Sequence, residues 1–276
     1  MSAAAPLAPP TAASDGGGGS YASTAASSES PLFLQIHGKL VPVTAVSSVP
    51  RAAALAALAS APVQSWAAAM SPEITVTSVQ LQSIDFFGSR VGFVKFSAAA
   101  MLAGRPVPGI VFCRGGAVAI LVVLRCGARR VALCCRQPRL PIGAASFLEI
   151  PAGMLDGSGS FAGVAAKEMA EETGIVVSEA ELLDLTALAY GAAVPGVYPS
   201  AGGCDEFLRL MLYSKAVGEA ELSALQGKLT GSAEESEFIT LDLVELDDLW
   251  RLAPDGKTLA ALLLYEKLRA RGAIAD

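Results

Sequence analysis

Histidine is nearly absent from this chain: His37 is the single one among 276 residues. A histidine-based zinc centre and a Ser-His-Asp triad are therefore almost excluded. Metal chemistry, if present, must rest on carboxylates, which favour hard ions such as magnesium or manganese. Cysteines are few: Cys113, Cys126, Cys134, Cys135 and Cys204, none in a Cys-x-x-Cys pair. That spacing in a long, alanine-rich chain does not resemble a disulfide scaffold, and the residues read as reduced, mostly buried thiols. Charge is also sparse, at 17% of residues with a net charge of −6 and no long basic run. A nucleic-acid-binding surface is not expected. No apolar stretch near the start matches a secretory signal. Hydrophobic residues make up 53%, much of it alanine, which buries little area per residue but suffices for one good-sized domain with an appendage.

Composition divides the chain into three. Residues 1–30 are Ala, Ser, Gly and Pro with a glycine run at 16–19; they are expected to be disordered. A transit-peptide remnant would share the Ser/Ala richness, but arginine is missing. Residues 31–73 form an N-terminal extension containing a low-charge stretch at 52–70. Pro62, Gln64 and the weak hydrophobicity of alanine argue against a membrane span there. The expectation is a surface helix with Trp66 buried against the main domain or a partner. From residue 74 to 276 the pattern becomes strands with a few helices. Two alternating runs flank Phe86–Phe87–Gly88, as in a hairpin, and residues 116–124 are apolar on both faces, as in a covered central strand. Further strands are predicted at 129–138, 147–153, 182–189, 207–217 and 238–243, with helices at 161–173, 245–252 and 256–271. An α/β class follows, with a mixed sheet in an α/β/α sandwich.

The most informative segment runs from Gly153 to Ile175. Ser160 is a candidate N-cap and Gly174 a candidate C′ residue, which bounds about three helical turns. Glu168, Glu171 and Glu172 stand at i, i+3 and i+4 and share one face. Like charges so placed cost roughly 0.2–0.5 kcal/mol per pair, which a cation between them would relieve; taken alone such a triplet is usually a solvated acidic face, and it is the context that favours the cation. The strand ending in Pro151–Ala152–Gly153 and the Gly-rich loop after it let a main-chain carbonyl and carboxylates converge on oxygen-loving cations.

This segment resembles the Nudix box: Gly, five residues, Glu, seven residues, then Arg-Glu-aliphatic-x-Glu-Glu-x-Gly-aliphatic. Gly153, Glu168, Met169, Glu171, Glu172, Gly174 and Ile175 match in register, whereas Gly159 replaces the first glutamate and Lys167 the arginine. Lysine keeps the charge but not the bidentate fork. Residues 148–156, 197–206 and 218–241 are similar to the ADP-ribose/ADP-sugar pyrophosphatase branch. The likeness is greatest to plant plastidial ADP-sugar diphosphatases, through 107–112 and through 198–206, where Ala201 replaces a proline.

The resemblance implies a Nudix-type fold and magnesium-dependent hydrolysis of an ADP-sugar, such as ADP-glucose or ADP-ribose, to AMP and a sugar phosphate. It implies that Ala152 offers a carbonyl and Glu168 and Glu172 bind metal while Glu171 assists. On the acidic loop at 233–238 it implies Glu235 as base, with Glu234 as the rival, and Glu237 as a further metal ligand. Arg139 falls at a phosphate contact; Glu149, Glu206 and Gly153 fall at substrate contacts. A homodimer is implied, with Trp66, Phe86 and Phe87 as interface candidates, and a plastid, or otherwise the cytoplasm, as compartment. Two rivals stay open: a Nudix enzyme for another nucleoside diphosphate derivative such as NADH, and a nucleotide-binding module with weakened catalysis, which Gly159 and Lys167 would favour.

Overall fold

The structure is a computed structural model that describes residues 30–155, 160–231 and 238–274. Its elements, in chain order, are β1 (Leu32–Ile36), β2 (Lys39–Ala45), α1 (Arg51–Ala59), α2 (Ala61–Ala69), β3 (Ile74–Phe87), β4 (Arg90–Leu102), β5 (Arg105–Val107) and β6 (Ile110–Cys113). There follow β7 (Ala117–Cys126), β8 (Arg129–Arg139), β9 (Ala144–Glu149), β10 (Ala152–Met154), α3 (Phe161–Glu168), β11 (Leu182–Asp184) and α4 (Leu185–Tyr190). The last are β12 (Leu208–Ala216), α5 (Glu219–Leu225), β13 (Leu229–Thr230), β14 (Ile239–Glu245), α6 (Leu249–Leu252) and α7 (Gly256–Ala270).

Among the described residues these strands form two sheets. The first has the order β1-β2-β3-β4-β5, with β6 also on β4. The second has the order β11-β12-β7-β8-β14-β13, with β10 on β7 and β9 on β8. It is mixed, because β12 runs parallel to β7 while its other pairs are antiparallel.

β7 shows why the second sheet needs two helical layers. Ala117, Ala119, Leu121 and Val123 enter a core shared with α4, α6 and α7. Val118, Ile120, Val122 and Leu124 enter the opposite core with α3 and α5. Alternate residues of a strand face opposite sides, so an unbroken apolar run is buried on both, and the layers are α/β/α as expected. The first sheet has its own core, in which Leu34, Val43, Leu81 and Phe96 meet Ala54, Ala57, Leu58 and Val63 of α1 and α2. β3 pairs with β2 as well as β4, so the hairpin expected at 74 onwards joins strands that precede the expected boundary.

Several elements depart from expectation. The stretch 52–70 is two helices at 56° rather than one, because Pro62 lacks an N–H and suits only a first turn. No single helix among the described residues is long and apolar enough to cross a membrane; α1 and α2 pass such a test only as a bent pair. The strand expected at 147–153 is β9 and β10 on different neighbours, with Pro151 between them. The strand expected at 182–189 stops at Asp184, whose carboxylate accepts the Ala187 N–H at 2.8 Å and caps α4. An N-cap bond there outcompetes the ladder. The helix expected at 161–173 is α-helical only to Glu168, and Met169–Thr173 forms a π-turn.

Candidate active site

Ser160 caps α3 by accepting the Gly163 N–H at 3.0 Å. Gly174 ends the following π-turn at φ +73°, donating its N–H to Ala170 at 3.0 Å. Between these caps Val164 and Met169 are buried in the core under the sheet, and Ile175 packs against it. These anchors set the rotation of the helix, and single π-turns of this kind concentrate at functional sites.

Two of the three glutamates are directed at β10. Glu172, only 4% exposed, accepts the Ala152 N–H through Oε2 at 2.9 Å. Glu168 lies against Gly153 so closely that a Cβ there would stand 1.8 Å from its Oε1. Gly153 is thus a place where a side chain approaches the backbone, not a turn glycine. The Ile120 N–H donates to the Pro151 carbonyl at 2.9 Å and the Leu155 N–H to the Gly116 carbonyl at 3.0 Å. The alternation of an antiparallel ladder therefore leaves the N–H and carbonyl of Ala152 pointing away from β7. Ala152, Gly153, Glu168 and Glu172 are brought together. Glu171 is not with them: it is half exposed, with Lys167 Nζ 3.7 Å from its Oε2.

A second acidic group stands beside the first. Cys135 on β8 is opposite Glu149 on β9, and its Sγ lies 3.9 Å from Glu172 Oε2. Burial, then the charges of Glu172 and Glu149, push this thiol well above its usual range. Glu149 is 2% exposed and held on both oxygens. Arg139 Nε donates to Oε1 at 2.6 Å, and Lys257 donates to Oε2. A carboxylate so buried requires such pairing. Arg139 and Glu149, expected as separate contacts, are therefore a pair, and the arginine side chain remains 40% exposed.

Lys257 was not anticipated. It sits in the first turn of α7, whose N-cap Asp255 accepts the Thr258 N–H at 3.1 Å. A lysine is on the unfavourable side of the helix dipole there, and that misplacement is the signal a reader of the sequence could have used. Glu206 stands elsewhere, with Arg114 Nη2 at 3.3 Å. Its neighbour Asp205 accepts the N–H groups of Arg114 at 2.7 Å and Gly115 at 3.2 Å. Glu234, Glu235, Glu237 and Gly159 lie outside the described residues.

The donors at β10 are carboxylates and a carbonyl, all hard oxygens, which suits magnesium or manganese. Among the described residues no three His, Cys, Asp or Glu side chains form a ready metal cluster. A full shell there would draw on the Ala152 carbonyl together with water or substrate, as magnesium often does.

A cavity of about 770 Å³ opens beside this site. Leu155 and Ser160, the described ends of the loop joining β10 to α3, line it with Trp66, Phe161, Tyr198 and Phe207. Trp66 meets Phe96 edge-on at 4.8 Å within the same chain, while Phe86 and Phe87 are each 43% exposed.

The NUDIX domain family model matches residues 114–263, the span from just before β7 into α7. Nudix hydrolase 14, chloroplastic, of Arabidopsis thaliana is 40% identical over 206 residues, covering 74% of this chain and 66% of that protein. A solved structure described as "Crystal structure of ADP compounds hydrolase" aligns over 75% of this chain and all of its own, at 15% identity and a TM-score of 0.48.

Proposed function

This chain belongs to the NUDIX family of hydrolases, and from that premise we propose that it cleaves the pyrophosphate bond of ADP-sugars, ADP-glucose and ADP-ribose among them. Water adds to one phosphorus and the bridging oxygen leaves with the other, giving AMP and a sugar phosphate. The observation that carries the reading is the convergence of Glu168, Glu172 and the off-ladder peptide of Ala152 on one short edge strand. These residues would hold magnesium, which when bound supplies positive charge to the pyrophosphate and to the attacking water.

The remaining roles belong to the chain. The Ala152 N–H fixes the Glu172 carboxylate, and Gly153 gives Glu168 room beside the strand. Glu149 holds Arg139 through Nε alone, which orients a guanidinium whose terminal nitrogens suit a phosphate. Lys257 offsets the charge of Glu149. Glu235 is the proposed base, with Glu234 as the rival and Glu237 as a further metal ligand, and Glu171 assists from the exposed side. The cavity falls in the size range of small-ligand pockets, and its aromatic walls suit a nucleoside. Glu206, next to the lining residue Asp205, is proposed to contact that part of the substrate. Exposed Phe86 and Phe87 are proposed for a homodimer interface, and a plastid is the proposed compartment, as the name of the Arabidopsis relative suggests.

The test is AMP release from ADP-glucose, ADP-ribose and NADH by purified protein, with magnesium and with EDTA. Magnesium-dependent release from the first two is expected, and NADH as the sole substrate would replace the proposed specificity. Glu168→Gln should lower turnover by about two orders of magnitude or more while nucleotide affinity falls modestly. Full activity in that variant would sink the assignment of the site.

A further inference from the structure

The turn between β7 and β8 borders a cavity of about 300 Å³ at the far end of the sheet. Arg125, Arg129, Arg130 and Arg269 line it with Ser214 and Tyr265, and among the described residues no acidic side chain does. Such a lining is unexpected in a chain of net charge −6. Arg125 and Arg130 are direct partners across the β7–β8 ladder, where like charges repel. The carboxylates that meet Arg129 and Arg130 come from outside the lining. Glu219 and Glu245 reach Arg129 at 3.3 and 2.6 Å, and Asp247 reaches Arg130 at 3.6 Å.

Arg125 differs from both. Its Nε is buried and meets no hydrogen-bond partner among the described residues. A guanidinium N–H removed from water without an acceptor is costly, and an unseen ion or water is a usual remedy. Arg269 lies over the Tyr265 ring at 5.4 Å from its centroid, which restrains it against α7. Guanidinium forks match phosphate oxygens in pairs, and the Ser214 and Tyr265 hydroxyls add donors.

We propose that this cavity binds a phosphate dianion, either free or as the monoester of a small metabolite. Its volume, at the low end for ligand pockets, suits a phosphate with a short carbon skeleton better than a nucleotide sugar. Ala152 pairs with Ala119 on β7, and Arg125 lies six residues further along the strand, about 20 Å away. The cavity is therefore separate from the acidic site, and the proposal holds whatever that site hydrolyses.

Titration of ¹⁵N-labelled full-length protein in EDTA, with inorganic phosphate and with glycerol 3-phosphate, tests it. Saturable amide shifts are expected at Gly127, Ala128 and Ser214. Arg125→Gln should weaken binding about tenfold or more, the worth of one charge-assisted hydrogen bond. Arg269→Gln should act likewise and serves if the first variant fails to fold, which its amide spectrum would reveal. Tighter binding of the ester would mark a phosphorylated metabolite as the ligand, and equal binding would mark free phosphate. No saturable shift up to about 10 mM, shifts centred on Glu168 and Glu172, or unchanged affinity in the folded variants would each overturn the proposal.

Discussion

β3 and β7 are both long inner strands, yet they are buried differently. Every residue from Ala117 to Leu124 is buried in β7, whereas along β3 burial falls on Val76, Val79 and Leu81 with exposed residues between. Helices cover both faces of the sheet that holds β7, while α1 and α2 pack into the one core of the sheet that holds β3. The matched NUDIX region, 114–263, contains β7 and leaves β1 to β6 outside. The acidic groups stand on the twice-covered sheet, through Glu149, and on the helix and π-turn packed against it, through Glu168 and Glu172, where packing on two sides limits side-chain movement. The other sheet and its helices give the large cavity a wall, through Trp66, Ile74, Ile110 and Val111. One region holds the groups proposed for chemistry, and the other shapes the space beside them.

This division predicts that substitutions in the two regions fail in different ways. Leu81→Ala, at a fully buried site of the first sheet, should cost roughly 2–5 kcal/mol of stability. Chemical denaturation should record that loss while turnover per folded molecule is kept; lost turnover in folded protein would break the comparison. Gly153→Ala should do the reverse. The atoms nearest the new Cβ are Oε1, Cδ and Cγ of Glu168, a flexible side chain that can swing aside, so the melting temperature should hold. Turnover should fall about 100-fold, as expected for a misplaced catalytic group, and steady-state kinetics beside a melt would show both.

Trp66→Ala should change recognition rather than chemistry. Loss of one aromatic wall is expected to raise KM about tenfold with kcat nearly unchanged, and a fall confined to kcat would contradict the cavity's role. The smallest effect concerns acid stability. Burial works to raise the pKa of Asp242, but hydrogen bonds from Gln226 and Arg136 outweigh it and hold the group below its ordinary 3.8. A depressed carboxylate stabilises the fold above its unfolded value, and that contribution is lost as pH falls through the folded one. Asp242→Asn should therefore flatten the fall in melting temperature below pH 3.8, and an unchanged acid slope would contradict this.

Much of the site could be read from local signals. Ser160 and Gly174 mark their helix ends by side-chain capping and positive φ, both properties of single residues. The spacing of Glu168 and Glu172 places them on one face whether the turn is α or slightly wider. The unbroken apolar run of β7, short and rich in valine, announces a doubly covered strand because both of its faces must leave water. Where one interaction overrode the pattern, the reading slipped. The Asp184 cap turned an apparent strand into α4, and the π-turn displaced Glu171 from its companions.

The sequence by itself determined the acidic helix, its caps, the central strand and the membership of a hydrolase family, because each depends on near neighbours or fixed spacing. Only the tertiary structure decided that Arg139 and Lys257 share Glu149 and that Gly153 lies beneath Glu168. It also decided that arginines from β7, β8 and α7 surround one cavity. Those contacts join residues far apart in the chain, and their partners are chosen by the sheet register and by the docking of α7, which no local pattern records.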